Sequence, residues 1–121
     1  MTKAEIIIST IKRIKRNAYK ARVCNELQWL GYNTSMMKLE SDTASGKAFG
    51  SMELYHEITG KSANDIYEAA VEEATQDIIK TYKPFDFLTI SEKDTIVKFL
   101  NLAGYNGEVH YEASKRNMLE R

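Results

Sequence analysis

Apolar residues recur at helical spacing from the start of the chain. Thr2 and Glu5 are spaced as a capping box for a helix N-terminus, and an apolar stripe stepping by three and four residues follows them. The stripe consists of Ile7, Ile11, Ile14, Ala18 and Ala21. Gly31 suits the helix end, because glycine readily adopts the left-handed conformation found there. The pattern predicts a helix over residues 3–30. We expect this helix to be buried on one side along its first two-thirds and on two sides near its end, where Val23, Leu27 and Leu30 lie roughly opposite Ile7 while Trp29 stays on the Ile7 side.

The following segments also fit helices. Residues 34–59 are predicted to be helical in two pieces, with a weak point at Ser45-Gly46 and a further candidate break at Gly50. A third helix begins at residue 64 or 65 and ends near residue 82, before Lys83-Pro84, because proline disfavours helix in the residue preceding it. Its apolar face comprises Tyr67, Ala70, Val71, Ala74, Ile78 and Tyr82.

The last third of the chain continues the helical pattern. Ser91 and Asp94 mark the start of a fourth helix that ends at Gly104, with an apolar face of Ile96, Val97, Leu100 and Ala103. Residues 108–121 fit another helix, although Asn106-Gly107 would also suit a tight turn. Between the third and fourth helices, an apolar connection is expected to cap the core with Phe85, Phe87 and Leu88.

Strand patterns of useful length are absent, so the sequence predicts an all-α fold in a single domain of residues 1–121. We expect a compact helical bundle of four to six helices with a long N-terminal helix. The chain contains two similar seven-residue segments, residues 27–33 (LQWLGYN) and residues 100–106 (LNLAGYN), and both fit this fold. Both segments are typical of helix C-termini, where glycine takes the first position beyond the helix.

Composition limits the class of protein. Hydrophobic residues make up 43% of the chain and charged residues 28%, as in soluble globular proteins. We expect no membrane partner, because no apolar run approaches the roughly 18 residues of a spanning helix and the N-terminus lacks a signal-peptide pattern. The one cysteine, Cys24, excludes an intramolecular disulfide and favours a reducing, cytoplasmic location.

Charge is distributed unevenly although the formal net charge is zero. Residues 1–33 carry seven Lys or Arg against two Asp or Glu, whereas residues 34–82 carry four against nine. The basic excess lies on the predicted first helix, and Tyr19 among the cations could stack on a base. The candidate nucleic-acid-binding residues are Lys12, Arg13, Lys15, Arg16, Tyr19, Lys20 and Arg22.

Three other interpretations of this basic helix stay open. It could be a solvated helix face without a partner. It could pair, within the chain or between subunits, with an acidic stripe formed by Asp65, Glu68, Glu72, Glu73 and Asp77. It could contact a membrane surface, although its apolar stripe is better used in the core than in lipid.

Two segments have the spacing of a helix-turn-helix motif. In the first, around Gly31, the exposed start of the reading helix would carry Thr34, Ser35, Met36 and Lys38. Leu27 departs from the pattern, since a small residue is usual there. The second lies around Gly60, where His56 takes that position and the second helix carries acids that would repel phosphate.

Each segment that resembles a catalytic or metal-binding motif lacks a residue that the motif requires. Gly60-Lys61-Ser62 lacks the preceding glycine of a phosphate-binding loop, because Tyr55 stands in that position. His56-Glu57 lacks the second histidine of a zinc protease, and two distant histidines with one cysteine are too few for a usual zinc site. Cys24 is expected to be a packed helical cysteine. We therefore predict no catalytic residue, no metal, no cofactor and no enzymatic activity.

Two functions are consistent with the sequence. The first is a small non-enzymatic binding or regulatory protein, associated with nucleic acid through the basic N-terminal helix. The alternative is a protein–protein interaction module that acts through a helical surface, such as an inhibitor or adaptor of the phage or mobile-element type. It could also form homo-oligomers.

Overall fold

The computed structural model describes residues 1–82 and 92–119. In this part of the chain it contains five α-helices and no strand, which confirms the predicted all-α bundle with a long N-terminal helix. The helices are α1 (Lys3–Trp29), α2 (Thr34–Thr59), α3 (Asn64–Tyr82), α4 (Glu92–Leu102) and α5 (Gly107–Leu119). The predicted features at Lys83-Pro84, at Ser91 and in the apolar connection Phe85, Phe87 and Leu88 lie outside the described residues.

Both ends of α1 form as their sequence predicts. The Glu5 backbone N–H donates to Thr2 Oγ1 at 3.2 Å, which satisfies one free donor of the first turn. At the other end Gly31 has a φ of +82°, and its N–H donates to the carbonyl of Gln28 at 3.0 Å. The Tyr32 N–H then folds back to the carbonyl of Leu27 at 3.1 Å. These two bonds form a Schellman motif, which satisfies carbonyls that the helix end leaves free.

The same motif ends α4 and explains the similarity between residues 27–33 and residues 100–106. Gly104 has a φ of +97°, and its N–H donates to the carbonyl of Asn101 at 3.1 Å. The Tyr105 N–H donates to the carbonyl of Leu100 at 3.0 Å. The two similar segments are therefore two helix ends of one kind, as expected from the glycine positions.

The central element of the bundle is α1, with α2 antiparallel and α3 parallel to it. Ser41 of α2 donates its hydroxyl to the carbonyl of Ala21 at 3.0 Å, so the start of α2 lies beside the end of α1. Ala18, Ala48 and Ala70, one from each of the three helices, share a small buried cluster. Small side chains at this point allow the three backbones to approach closely.

The predicted break at Ser45-Gly46 is wrong, because α2 is continuous from Thr34 to Thr59. Ala44 and Ala48 are buried on the side of α2 that faces α1, and Gly46 is exposed with open space where a Cβ would stand. Helical stability in proteins comes mostly from packing of a buried face. The contact with α1 therefore offsets the low helix propensity of two glycines.

The largest cluster of buried residues surrounds the end of α1, where α3 and α4 meet it. Val23, Cys24 and Leu27 are fully buried there against Phe99 and other side chains of α4. This confirms the predicted burial of Val23 and Leu27, but Trp29 is 81% exposed, so the predicted burial on two sides is wrong for the last turn of α1. Leu30 differs from the prediction: it is exposed, because the helix ends at Trp29 and Leu30 serves as its C-cap.

Helix α5 is held on α4 by a close contact at Gly107. The Gly107 N–H donates to Asn101 Oδ1 at 2.8 Å. A Cβ at this position would overlap the carbonyl oxygen of Val97, so the approach requires glycine. Asn106 and Gly107 thus begin the predicted last helix directly. Ion pairs from Lys93 to Glu108 at 3.5 Å and to Glu112 at 3.2 Å join the exposed sides of the two helices.

Candidate nucleic-acid interface

Four successive cations of α1 are exposed and form no ion pair within the described residues. They are Lys12, Arg13, Lys15 and Arg16. They occupy little more than one turn of the helix. An uncompensated group of this kind attracts anions strongly at short range, even in a protein of zero net charge.

Arg13 and Arg16 face an open groove of about 810 Å³ between α1, α2 and the end of α4. Lys20 of α1 and Lys47 of α2 line the same groove, so that four cations surround it from two helices. Among the described residues that line it, none is acidic. Its apolar lining comes from Leu54, Leu102 and Ala103. The groove combines a positive potential with apolar contact surface, whereas Lys12 and Lys15 lie outside it.

Lys20 and Arg22 are engaged within the fold. Lys20 Nζ lies 3.3 Å from Glu40 and 4.8 Å from the centre of the Tyr105 ring. Arg22 forms an ion pair with Glu26 at 3.2 Å, one turn later on the same helix. Of the six predicted cations, these two therefore have less charge to offer a ligand, and Arg22 does not line the groove.

Tyr19, the predicted stacking residue, has a hydrogen-bond partner within the fold. Its hydroxyl donates a hydrogen bond to Asp77 of α3 at 2.7 Å. The pKa of Tyr19 is raised, mainly by burial and next by this hydrogen bond. Tyr19 also lines the groove. The hydroxyl is thus fixed towards α3, which restricts the ring and leaves it at the edge of the groove.

The acidic stripe does not neutralise the basic helix within the described part of the chain. Asp77 approaches α1 and meets Tyr19 rather than a cation. Glu68, Glu72 and Glu73 are exposed, and none of them forms an ion pair with α1. Arg13 and Arg16 therefore keep their charge available to a ligand.

No protein-family model, curated protein or solved structure matches this chain. Its function must therefore be argued from the geometry of its own residues.

The geometry of α1 and α2 differs from that of a helix-turn-helix motif. The two helices lie side by side as a long antiparallel hairpin, as the Ser41–Ala21 hydrogen bond shows. In the motif the two helices cross at about 90–120°. Met36 and Lys38 are exposed at the start of α2, as a reading helix would require, but the hairpin does not project α2. The glycine turn at Gly31 accounts for the sequence similarity.

Cys24 is buried in the core, as predicted. Desolvation raises the pKa of its thiol to about 11, so that the unreactive protonated form dominates at neutral pH. Within the described residues, no group of three or more His, Cys, Asp or Glu side chains could hold a metal ion. No helix in that part of the chain has the length and apolar character needed to cross a membrane.

Lys47 is the groove cation that sequence reasoning missed. The other lysine of α2, Lys38, lies nine residues away, so no neighbouring cation marks Lys47 in the sequence. Only its position in the hairpin could have indicated Lys47. In an antiparallel hairpin that turns at Gly31, Lys47 lies roughly opposite Arg16. That relation becomes visible only when α1 and α2 are known to be two continuous antiparallel helices.

Proposed function

We propose that this protein is a small non-enzymatic nucleic-acid-binding protein that contacts phosphate groups through α1. The observation that carries the proposal is a set of four exposed cations that form no ion pair within the described part of the chain: Lys12, Arg13, Lys15 and Arg16. Lys and Arg that neutralise phosphates release condensed counterions, and this release provides most of the affinity of non-specific binding. The lack of acidic residues among the described groove lining supports the same ligand class.

The proposal predicts a steep dependence on salt. If about four phosphates of B-DNA are neutralised, the binding constant varies with salt to about the −3.6 power. Raising the salt from about 50 to about 200 mM should then weaken binding about 150-fold. We would measure this by fluorescence anisotropy with labelled single-stranded and duplex oligonucleotides.

Charge reversal locates the contact. The double variant Arg13→Glu/Arg16→Glu should abolish binding at the lower salt. The control, Lys61→Glu/Lys80→Glu, changes the net charge equally at exposed positions outside α1 and should retain most of the affinity. If the wild-type protein binds neither oligonucleotide at about 50 mM salt, the proposal is wrong. Equal losses in the two variants would mean that net charge, not α1, controls binding.

A second candidate, a protein-interaction module, is favoured by exposed apolar side chains around the α1–α2 turn. Trp29 is 81% exposed and Leu39 is 64% exposed. Tryptophan is enriched among the residues that dominate protein interfaces. Because Trp29 is the only tryptophan, its emission reports directly on this surface. In a concentration series, we would measure the mass by light scattering and the tryptophan emission by fluorescence. A blue shift of the emission that appears together with a higher mass and disappears on dilution would support self-association through Trp29.

A further inference from the structure

We infer that the nucleic acid is single-stranded and lies in the groove between α1, α2 and the end of α4. The inference rests on the proposed function and adds which form of nucleic acid binds and where on the protein the strand lies. Its first support is the position of the cations. Arg13 and Arg16 on α1 face the same open space as Lys47 on α2, so the charges stand on two walls of a concave surface.

Duplex DNA does not suit this surface. The major groove of B-DNA is about 12 Å wide, which is enough for one α-helix with its side chains. Here α2 packs beside α1 as an antiparallel hairpin, and packed helix axes lie about 8–10 Å apart. The pair is therefore too wide to enter a major groove, and a duplex could meet only the outer cations. A flexible single strand can enter the groove and reach both walls.

The uncharged lining points to the same form of nucleic acid. Between the cations the groove is lined by Tyr19, which also packs against the core, and by the apolar residues Leu54 and Leu102. Proteins that bind single strands combine a positive groove with aromatic and apolar contacts for the exposed base faces. A duplex keeps those faces stacked inside. The hydrogen bond from Tyr19 to Asp77 fixes the ring in advance, which lowers the entropy lost when a base packs on it.

Gly50 provides a way to test the path of the strand. It lines the groove, it lies within the continuous helix α2, and a Cβ added there would meet no described atom within 4 Å. A Cβ therefore fits at this position, and we expect a longer side chain to extend into the groove. Gly46, one turn earlier, is also exposed and unobstructed, but it does not line the groove. The two glycines form a matched pair.

The steric experiment compares Gly50→Leu with Gly46→Leu. The probe is a labelled oligothymidylate of about 16 nucleotides, the upper end of single-domain site sizes, alone or annealed to oligoadenylate. At about 50 mM salt we expect the wild type to bind the single strand at least about tenfold more tightly than the duplex. Gly50→Leu should remove at least about tenfold of that affinity, whereas Gly46→Leu should stay within about twofold of the wild type. Circular dichroism confirms that both variants are folded.

The charge experiment compares Lys47→Glu with Lys38→Glu. Both residues are exposed on α2, but only Lys47 lines the groove. Lys47→Glu should weaken single-strand binding at least about tenfold and flatten its salt dependence, while Lys38→Glu should have a much smaller effect. An oligouridylate of equal length tests RNA as the source of the strand, because only RNA offers the 2′-hydroxyl.

The outcomes separate this inference from the proposed function. Equal or tighter binding of the duplex, or Gly50→Leu that binds like Gly46→Leu, would overturn the single-strand path and leave binding through α1 in place. Absence of binding to every oligonucleotide would overturn both. A preference for the single strand that Gly50→Leu and Lys47→Glu remove, and their controls keep, would establish the groove as the site.

Discussion

Substitution of Gly107 by alanine should destabilise the protein strongly, because α4 and α5 meet at this residue without space for a side chain. An added Cβ would overlap the carbonyl oxygen of Val97 and lie 2.7 Å from Asn101 Oδ1. Relief requires that α5 move away from α4. That movement weakens the 2.8 Å hydrogen bond from the Gly107 N–H to Asn101.

The magnitude follows from these two effects. Overpacking of a close contact costs about 1–3 kcal/mol, and the loss of one intramolecular hydrogen bond costs about 1 kcal/mol. We therefore expect Gly107→Ala to lower the free energy of unfolding by about 2–4 kcal/mol. Gly46→Ala is the control with the opposite sign. Its Cβ meets open space in the interior of α2, so alanine should stabilise the protein by about 0.5–1 kcal/mol through its higher helix propensity.

The assay is urea unfolding followed by circular dichroism, with the two variants and the wild type measured together. A loss of this size should move the unfolding midpoint down by about 1–2 M urea, whereas Gly46→Ala should move it up slightly. A Gly107→Ala protein as stable as the wild type would refute the reasoning, since the α4–α5 contact could then adjust without cost.

Three further predictions concern side chains that the fold buries in part or in full. Burial lowers the pKa of His110 below its ordinary 6.5, against a weaker opposing effect of Glu40, so stability should fall as the pH drops from about 7.5 through that lowered pKa; urea midpoints across this range should depend less on pH in His110→Gln. Tyr105→Phe removes the hydroxyl that donates to Glu40 at 2.9 Å and lowers the pKa of that carboxyl; it should cost about 1–2 kcal/mol at neutral pH, whereas Tyr55→Phe should be nearly neutral. Cys24 should react with a thiol reagent only as fast as the protein opens, and rapid labelling of the native protein would contradict its burial.

Local signals were enough to predict where most helices lie. Apolar spacing and the glycines at positions 31 and 104 placed the helices and two of their ends, because these features act within a few residues. The continuity of α2 could not be predicted in this way, since it depends on Ala44 and Ala48 packing against α1. Alanines give a weak apolar signal, and the two glycines beside them suggested a break.

The candidate site was only partly visible in the sequence for the same reason. Local charge marks Arg13 and Arg16 directly, because no acid lies near them along α1. Lys47 and the end of α4 join them through tertiary packing, and the engagement of Lys20 with Glu40 depends on the register of the α1–α2 hairpin. Which cations are free and which are paired is therefore a property of the fold, not of the charge pattern.

One face of α1 predicts that folding and the proposed nucleic-acid binding can be separated. Leu27, Lys20, Arg16 and Arg13 follow one another at steps of seven, four and three residues, so they share a face of the helix. The 27 residues of α1 extend about 40 Å, whereas the 11 residues of α4 extend about 16 Å and can cover less than half of that length. The face is apolar where α4 covers it and cationic where the groove lies open.

Because one end of this face is buried and the other is exposed, a change of charge should affect stability differently at the two ends. Arg13→Glu/Arg16→Glu should keep the stability of the wild type, because both side chains are exposed and their removal relieves repulsion with Lys12 and Lys15. Leu27→Lys places a charge in the fully buried part of the same face and should prevent stable folding. Urea unfolding of the two proteins tests this directly. If the arginine variant unfolded as readily as the leucine variant, the cations would be part of the folding core, and a loss of nucleic-acid binding could not be attributed to the groove.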